Sequence, residues 1–235
     1  MTLALRNLSF DYGAKRALDG VSLRAPSGRF TAILGPNGAG KSTLFALLTR
    51  LLRPASGSIA VAGHDMAYAP RAALARMGIV FQQPTLDLDL TVAQNLRYAA
   101  ALRGIAGRDA RARIDQALDR LAMRDRAGEK VRALNGGHRR RTEIARALLH
   151  GPEVLLCDEP TVGLDAAARA ALVGHVHDLA AEGLAVLWAT HLTDEVRDGD
   201  RLVVLHRGRV IEEGETRGLR GPVPLTDHFL TRTAA

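Results

Sequence analysis

The chain has 235 residues, 47% of them apolar, which is enough to fill the core of one domain or of one domain with an inserted subdomain. No uninterrupted apolar run approaches the roughly 18 residues that span a bilayer. The N-terminus lacks a basic segment followed by an apolar one, and the lone Cys157 excludes an intrachain disulfide.

A cytoplasmic protein is therefore expected, with any membrane role arising through a partner. The formal net charge is +7, carried almost wholly by Arg, since Lys15, Lys41 and Lys130 are the only lysines. Such charge suits nucleic acid or anionic head groups. Aromatic residues are 4% and do not alternate with basic ones, so nucleic acid is not expected as a partner. Cys157, inside an apolar run, reads as a buried small residue rather than a reactive thiol.

In chain order, Leu3 to Tyr12 and Val21 to Leu23 read as strands of an antiparallel layer, joined by Ser58 to Ala62. Phe30–Leu34, Val154–Cys157, Leu184–Ala189 and Leu202–Leu205 are continuous apolar runs. Strands with both faces buried have that pattern. Helical stretches alternate with them, which predicts an α/β fold with a mostly parallel core sheet. From Thr91 to about Met123 only helices are predicted. Thr91 and Gln94 have capping-box spacing, and Ile114, Ala117, Leu118 and Leu121 share one helix face. This segment reads as a helical subdomain inserted into the sheet domain. After Gly221-Pro222-Val223-Pro224, a short amphipathic helix is expected around Leu225 to Leu230.

Gly35-Pro36-Asn37-Gly38-Ala39-Gly40-Lys41-Ser42-Thr43 follows the Phe30–Leu34 run and precedes a helical stretch from Leu44 to Leu52. This is the G-x-x-x-x-G-K-[ST] pattern in its strand–loop–helix context. Its glycines let successive N–H groups turn towards phosphate oxygens, and the helix N-terminus adds positive potential. Lys41 is expected on the β- and γ-phosphates and Ser42 on Mg²⁺. Thr43 can add a hydroxyl contact. ATP and Mg²⁺ are thus the expected cofactors. A chance glycine-rich turn would not bring the flanking strand and helix.

Val154-Leu155-Leu156-Cys157-Asp158-Glu159 is an apolar strand ending in two carboxylates. Asp158 is placed to hold Mg²⁺ directly or through water. Glu159, one residue on, can act as general base on the attacking water. Alone, the pair would be an ordinary acidic turn. Beside the phosphate loop it points to nucleotide hydrolysis.

From Tyr12 to His191, and more loosely to about Thr231, the chain resembles the ATP-binding subunits of ABC transporters. The resemblance places Tyr12, in Phe10-Asp11-Tyr12-Gly13, on adenine, a stacking contact worth roughly 1–3 kcal/mol. Gln82, in Ile79-Val80-Phe81-Gln82, matches the glutamine that senses Mg²⁺ and the attacking water. Gln83 is adjacent, but Gln82 follows the apolar strand. Pro84 to Leu90 resembles the region that meets the membrane partner.

Leu134-Asn135-Gly136-Gly137-His138 takes the signature position, usually Leu-Ser-Gly-Gly-Gln, ahead of a helix expected from Arg139 to Leu149. In the family this loop caps the γ-phosphate of the opposite subunit. Asn135 and His138 depart from the pattern, which bears on the strength of that contact. Asn135 can still donate to phosphate through its amide. Arg139-Arg140-Arg141 reads as a solvated helix start rather than a nucleic-acid patch. Gly163-Leu164-Asp165 matches the D-loop that crosses the dimer interface, and His191 matches the switch histidine on the γ-phosphate.

The resemblance implies one ABC ATPase domain over 1–235. Its core would be 1–83 and 140–220, its helical subdomain about 84–139 and its tail helix about 225–231. It also implies a separate membrane permease and a second ATP-binding subunit, expected as a homodimer. The location implied is the inner face of the cell membrane. Leu225-Thr226-Asp227-His228-Phe229-Leu230 resembles the tail of ABC-2 type export ATPases, which favours export. Leu-Asn-Gly-Gly-His also recurs in a subgroup associated with pyrroloquinoline-quinone-dependent alcohol oxidation systems. A soluble ABC ATPase of ribosomes or DNA would carry two cassettes or a long coiled coil, and neither is present. A non-hydrolysing scaffold would lack Glu159 or His191, and both are present.

Overall fold

Two sheets organise residues 2–234, the part of the chain that the computed structural model describes. The strands are β1 (Leu3–Tyr12), β2 (Lys15–Ala25), β3 (Phe30–Leu34), β4 (Ser56–Val61) and β5 (His64–Asp65), then β6 (Met77–Val80), β7 (Val154–Asp158), β8 (Ala185–Thr190), β9 (Arg201–His206) and β10 (Arg209–Glu215). One sheet is antiparallel, in the order β2-β1-β4-β5. The other has the order β10-β9-β3-β8-β7-β6 and is parallel except for β10.

Successive strand residues point to opposite faces. Phe30, Ala32, Leu34, Leu155, Val186, Trp188 and Leu202 feed one core, while Ile33, Leu156, Leu187 and Val203 feed the other. Burial on both faces explains the uninterrupted apolar runs. The second core is closed by α1 (Lys41–Leu48), through Leu44, Phe45 and Leu48, and by the antiparallel sheet. The first is closed by helices.

Those helices follow α2 (Pro70–Ala75). They are α3 (Val92–Leu102), α4 (Gly107–Arg120) and α5 (Gly136–Leu148), all between β6 and β7, and then α6 (Ala166–Ala181). The capping box at Thr91 forms, with Thr91 N donating to Gln94 Oε1 at 2.8 Å and Gln94 N donating to Thr91 Oγ1 at 3.1 Å. Ile114, Ala117, Leu118 and Leu121 are buried, as their spacing predicts. The chain ends in α7 (Thr216–Arg220) and α8 (Leu225–Thr233), which buries Phe229.

Some boundaries differ from expectation. α1 stops at Leu48, short of Leu52, because Arg50 turns to a positive φ of 64°. α5 opens at Gly136 rather than Arg139, since Asn135 caps it. β5, β10, α2, α6 and α7 are further elements beyond those expected. β10 alternates exposed with half-buried residues, so it carries no apolar run.

Candidate active site

Parallel strands bring their C-terminal ends to one edge of a sheet, where ligands of α/β folds bind. The loop after β3 turns through Gly38 and Gly40, whose φ values are 81° and 109°. A Cβ on Gly40 would stand 2.8 Å from Leu18 Cδ2, so a glycine is needed there for packing and for conformation. The tip between β9 and β10 braces the loop from behind, with Gly208 N donating to Ala39 O at 2.9 Å. No side chain caps α1, so its first N–H groups face the cleft. Lys41 is buried, and its Nζ donates to Gly35 O at 2.6 Å and Pro36 O at 3.2 Å.

Glu159 follows β7 with a φ of 45°, a left-handed conformation that a non-glycine residue adopts at a cost. Its N–H donates to Ala189 O of β8 at 3.0 Å. Three groups converge on its carboxylate. Lys41 Nζ lies 3.1 Å from Oε1, Gln82 Nε2 donates to Oε2 at 3.4 Å, and His191 Nδ1 lies 3.6 Å from Oε2. The sequence separates these residues widely, and the strand ends bring them together.

Asp158 lies behind this cluster. Its Oδ1 is buried without a hydrogen-bond partner. Burial, and then the Glu159 charge, push its carboxyl up to about 6, against the pull of Lys41. A carboxylate placed this way is relieved by a cation. Ser42 and Gln82 line the cleft in front and Asp158 does not; hydroxyl, amide and carboxylate oxygens are donors of the kind that suit Mg²⁺.

The cleft in front has a volume of about 780 Å³, within the roughly 300–1,000 Å³ of small-molecule sites. Tyr12, Asn37, Gly38, Gly40, Lys41, Ser42, Thr43, Gln82, Glu159 and His191 all line it. Tyr12 is 52% exposed and held edge-on by Phe10, with ring centroids 4.8 Å apart. Gly35, Pro36 and Ala39 are not in its lining. Sequence reasoning missed Lys15, Arg16, Ala17, Val162, Arg207 and Gly208, which also line it. The pairing of β1 with β2 would have found Lys15 and Arg16. Nothing local marks Arg207 and Gly208.

The signature residues are not in this cleft. Asn135 Oδ1 accepts from His138 N at 2.9 Å and so caps α5. A Cβ on Gly137 would stand 3.0 Å from Ala168 Cβ, so this loop packs closely on the start of α6. Asp165 caps α6 by accepting from Ala168 N at 2.8 Å. Burial, followed by the Arg126 and Arg141 charges, holds the His138 ring below its ordinary pKa. Behind the cleft, buried Glu195 accepts from Thr161 Oγ1 and, at 2.8 Å, from Trp188 Nε1. That ties the turn after His191 to the turn after Glu159.

One expectation is overturned. The helix start at Arg139-Arg140-Arg141 is not simply solvated, because Arg140 is 5% exposed. Its guanidinium pairs with buried Glu143 at 2.6 Å. Without such a partner the burial of a charge would be strongly unfavourable.

The family model for ABC transporters matches residues 18–162. The chain belongs to the ABC transporter family. This ABC protein is 43% identical over 210 residues to a daunorubicin resistance ATP-binding protein of Streptomyces coeruleorubidus, covering 89% of this chain and 66% of the relative. It is 39% identical over 215 residues to a Nod factor export ATP-binding protein I of Burkholderia orbicola, covering 91% and 71%. Its fold matches cbiO1 from Clostridium perfringens, part of the ABC transporter complex cbiONQ, with TM-score 0.87, 30% identity and coverage of 98% and 95%. It also matches a dimeric ATP-binding cassette in a post-hydrolysis state with ADP and Pi, with TM-score 0.78, 29% identity and coverage of 92% and 99%. The ABC chain is thus an ATP-binding subunit with ATPase chemistry. Among the described residues, no helix is long and apolar enough to cross a membrane.

Proposed function

We propose that this subunit powers export through a separate membrane permease, by closing on ATP with a second copy of itself. The observation that carries the reading is the convergence of Lys41, Gln82 and His191 on Glu159 beside the phosphate loop. Phosphate oxygens of ATP would compete with Glu159 for Lys41 and so release the carboxylate towards water. Glu159 then accepts a proton from the attacking water, Gln82 orients that water, and His191 and Lys41 face charge on the transferring phosphoryl group. Ser42, Gln82 and Asp158 would hold Mg²⁺, which supplies charge neutralisation at the phosphates. Tyr12 stacks on adenine. Asn135, Gly136, Gly137 and His138 cap the partner's nucleotide, with Asp165 at the crossing.

In this reading segment 84–139 is a helical subdomain that moves against the core, 1–83 and 140–220, with a tail helix at about 225–231. A groove of about 530 Å³ beside Pro84 to Leu90, lined by Phe81, Thr85, Tyr98 and Leu102, supports docking of a permease there. Tyr98 and Leu102 are 63% and 71% exposed. Docking would hold the protein at the inner face of the membrane. Export is favoured by the drug-resistance and Nod-factor relatives and by the tail sequence. The narrower placement in the pyrroloquinoline-quinone-associated subgroup rests on the Leu-Asn-Gly-Gly-His segment alone.

The test is to express a tagged Glu159→Gln form in the native host, add ATP, and identify what co-purifies from detergent-solubilised membranes. A polytopic permease should be recovered. Recovery only from the soluble fraction, with ribosomes or DNA, would overturn the exporter reading.

A further inference from the structure

Three side chains at every third position of α5 grip the segment that carries Gln82. Arg140 Nη1 donates to Phe81 O and Arg140 Nη2 to Gln82 O, each at 2.7 Å. Glu143 Oε1 accepts from Thr85 N at 2.7 Å and from Thr85 Oγ1 at 3.2 Å. Arg146 Nη1 donates to Thr85 O at 3.0 Å, and Arg146 Nη2 to Thr85 Oγ1. Residues at this spacing share one helix face. Gln82, Gln83 and Pro84 therefore hang between two anchors on a single helix.

The Arg140–Glu143 pair is itself buried, with side-chain exposures of 6% and 2%. A buried ion pair is weak evidence for stability, since apolar residues of like volume often do as well. What an apolar pair cannot do is hold two adjacent carbonyls in a planar fork. The same helix opens with Asn135-Gly136-Gly137-His138.

We infer that Arg140, backed by Glu143 and Arg146, is a positioning residue that fixes the backbone of Gln82 to the helix bearing the signature loop. It touches neither the nucleotide cleft nor the carboxylate of Glu159. Its effect passes through Gln82, and so the inference rests on the role proposed for Gln82. A displacement of α5, as when its N-terminus engages a second subunit, carries the glutamine with it. The amide then reaches or leaves Glu159 without any change in the phosphate loop.

The test uses Arg140→Lys in the full chain, which keeps a cation beside Glu143 but cannot fork to both carbonyls. Steady-state ATP hydrolysis should show kcat lowered about tenfold with KM within about twofold, because a small misplacement of a catalytic group acts on turnover. Thermal unfolding should stay near that of the parent. In a Gln82→Ala background, Arg140→Lys should add less than about twofold, since both changes remove one function. Should Arg140→Lys fail to fold, Arg146→Lys loosens the second anchor. It should then lower kcat about two- to threefold at unchanged KM. Losses that multiply in the double variant would overturn the inference, as would a lowered melting temperature with unchanged kcat. If Gln82→Ala alone leaves kcat intact, the role of Gln82 falls first. If Gln82→Ala lowers kcat and Arg140→Lys does not, only the clamp falls.

Discussion

Two glycine-rich loops in this molecule open helices, and they finish differently. The loop before α1 leaves the helix uncapped and sets Lys41, Gln82, Glu159 and His191 in front of it. The loop before α5 is capped by its own Asn135, and it contributes nothing to that cleft. An uncapped helix N-terminus facing a lysine, a carboxylate and a histidine is suited to phosphate within the chain. A capped one packed on Leu164 and Ala168 is held in place by the chain itself. In the proposed reading the first loop holds the nucleotide and the second serves a different copy.

The strongest way to break this contrast is at Glu159. Glu159→Gln should lower turnover by at least about 100-fold while ATP still binds, as expected on losing a general base. Nucleotide titration alongside a phosphate-release assay checks it, and full turnover in the variant would remove Glu159 from the chemistry. Gly137→Ala should act on the other loop only. Crowding of Ala168 should cut turnover about tenfold by displacing that loop, while nucleotide affinity of the separate chain stays level. A parallel loss of affinity would mean that the two loops are not separable.

Stability sharpens the contrast further. Asp158 is raised in the folded state, so its contribution to stability is present below pH 4 and is lost as pH rises through about 6. Asp158→Asn should therefore stabilise the nucleotide-free protein at pH 7 by about 1–3 kcal/mol, seen in denaturant unfolding, while abolishing hydrolysis. No gain would mean that the buried carboxylate is better satisfied than its geometry suggests.

His150, just beyond α5, tests the other region. Burial, then Arg103, hold its ring at about 4, while its hydrogen bond to Met77 O pulls upward and Arg113 downward again. A depressed histidine is neutral in the fold and charged when unfolded, so stability should fall as pH drops from 6.5 towards 4. His150→Asn should flatten that slope, and an unchanged slope would assign the acid limb elsewhere. The smallest effect is expected at Asn135→Ser, which keeps a capping oxygen and should shift stability by less than about 0.5 kcal/mol.

Much of this was legible in the sequence because the chemistry is contiguous. The phosphate loop needs its glycines, lysine and serine in one run, and the buried strands need uninterrupted apolar residues. Gln82, Glu159 and His191 were found through family resemblance and the strand ends they follow. Their approach to one another is a product of strand order, which no local pattern displays. Arg140 was misread because a triple arginine looks solvated until its partners appear. One partner, Glu143, is a turn away on the same helix, and the others, Phe81 O and Gln82 O, lie far back in the chain. α6 and β10 are hidden differently: the buried stripe of α6, Leu172, Val173, Val176, Leu179 and Ala180, is blurred by alanines on its other faces, and β10 has no apolar run.

Trp188 is the only tryptophan in the chain. It is fully buried in β8, three residues before His191, and its indole N–H is held by Glu195. The protein thus carries a native optical probe on the strand that delivers its histidine. Any movement of that strand or of Glu195 alters the field and the hydrogen bond at the indole, and ultraviolet emission of the unlabelled protein would report it.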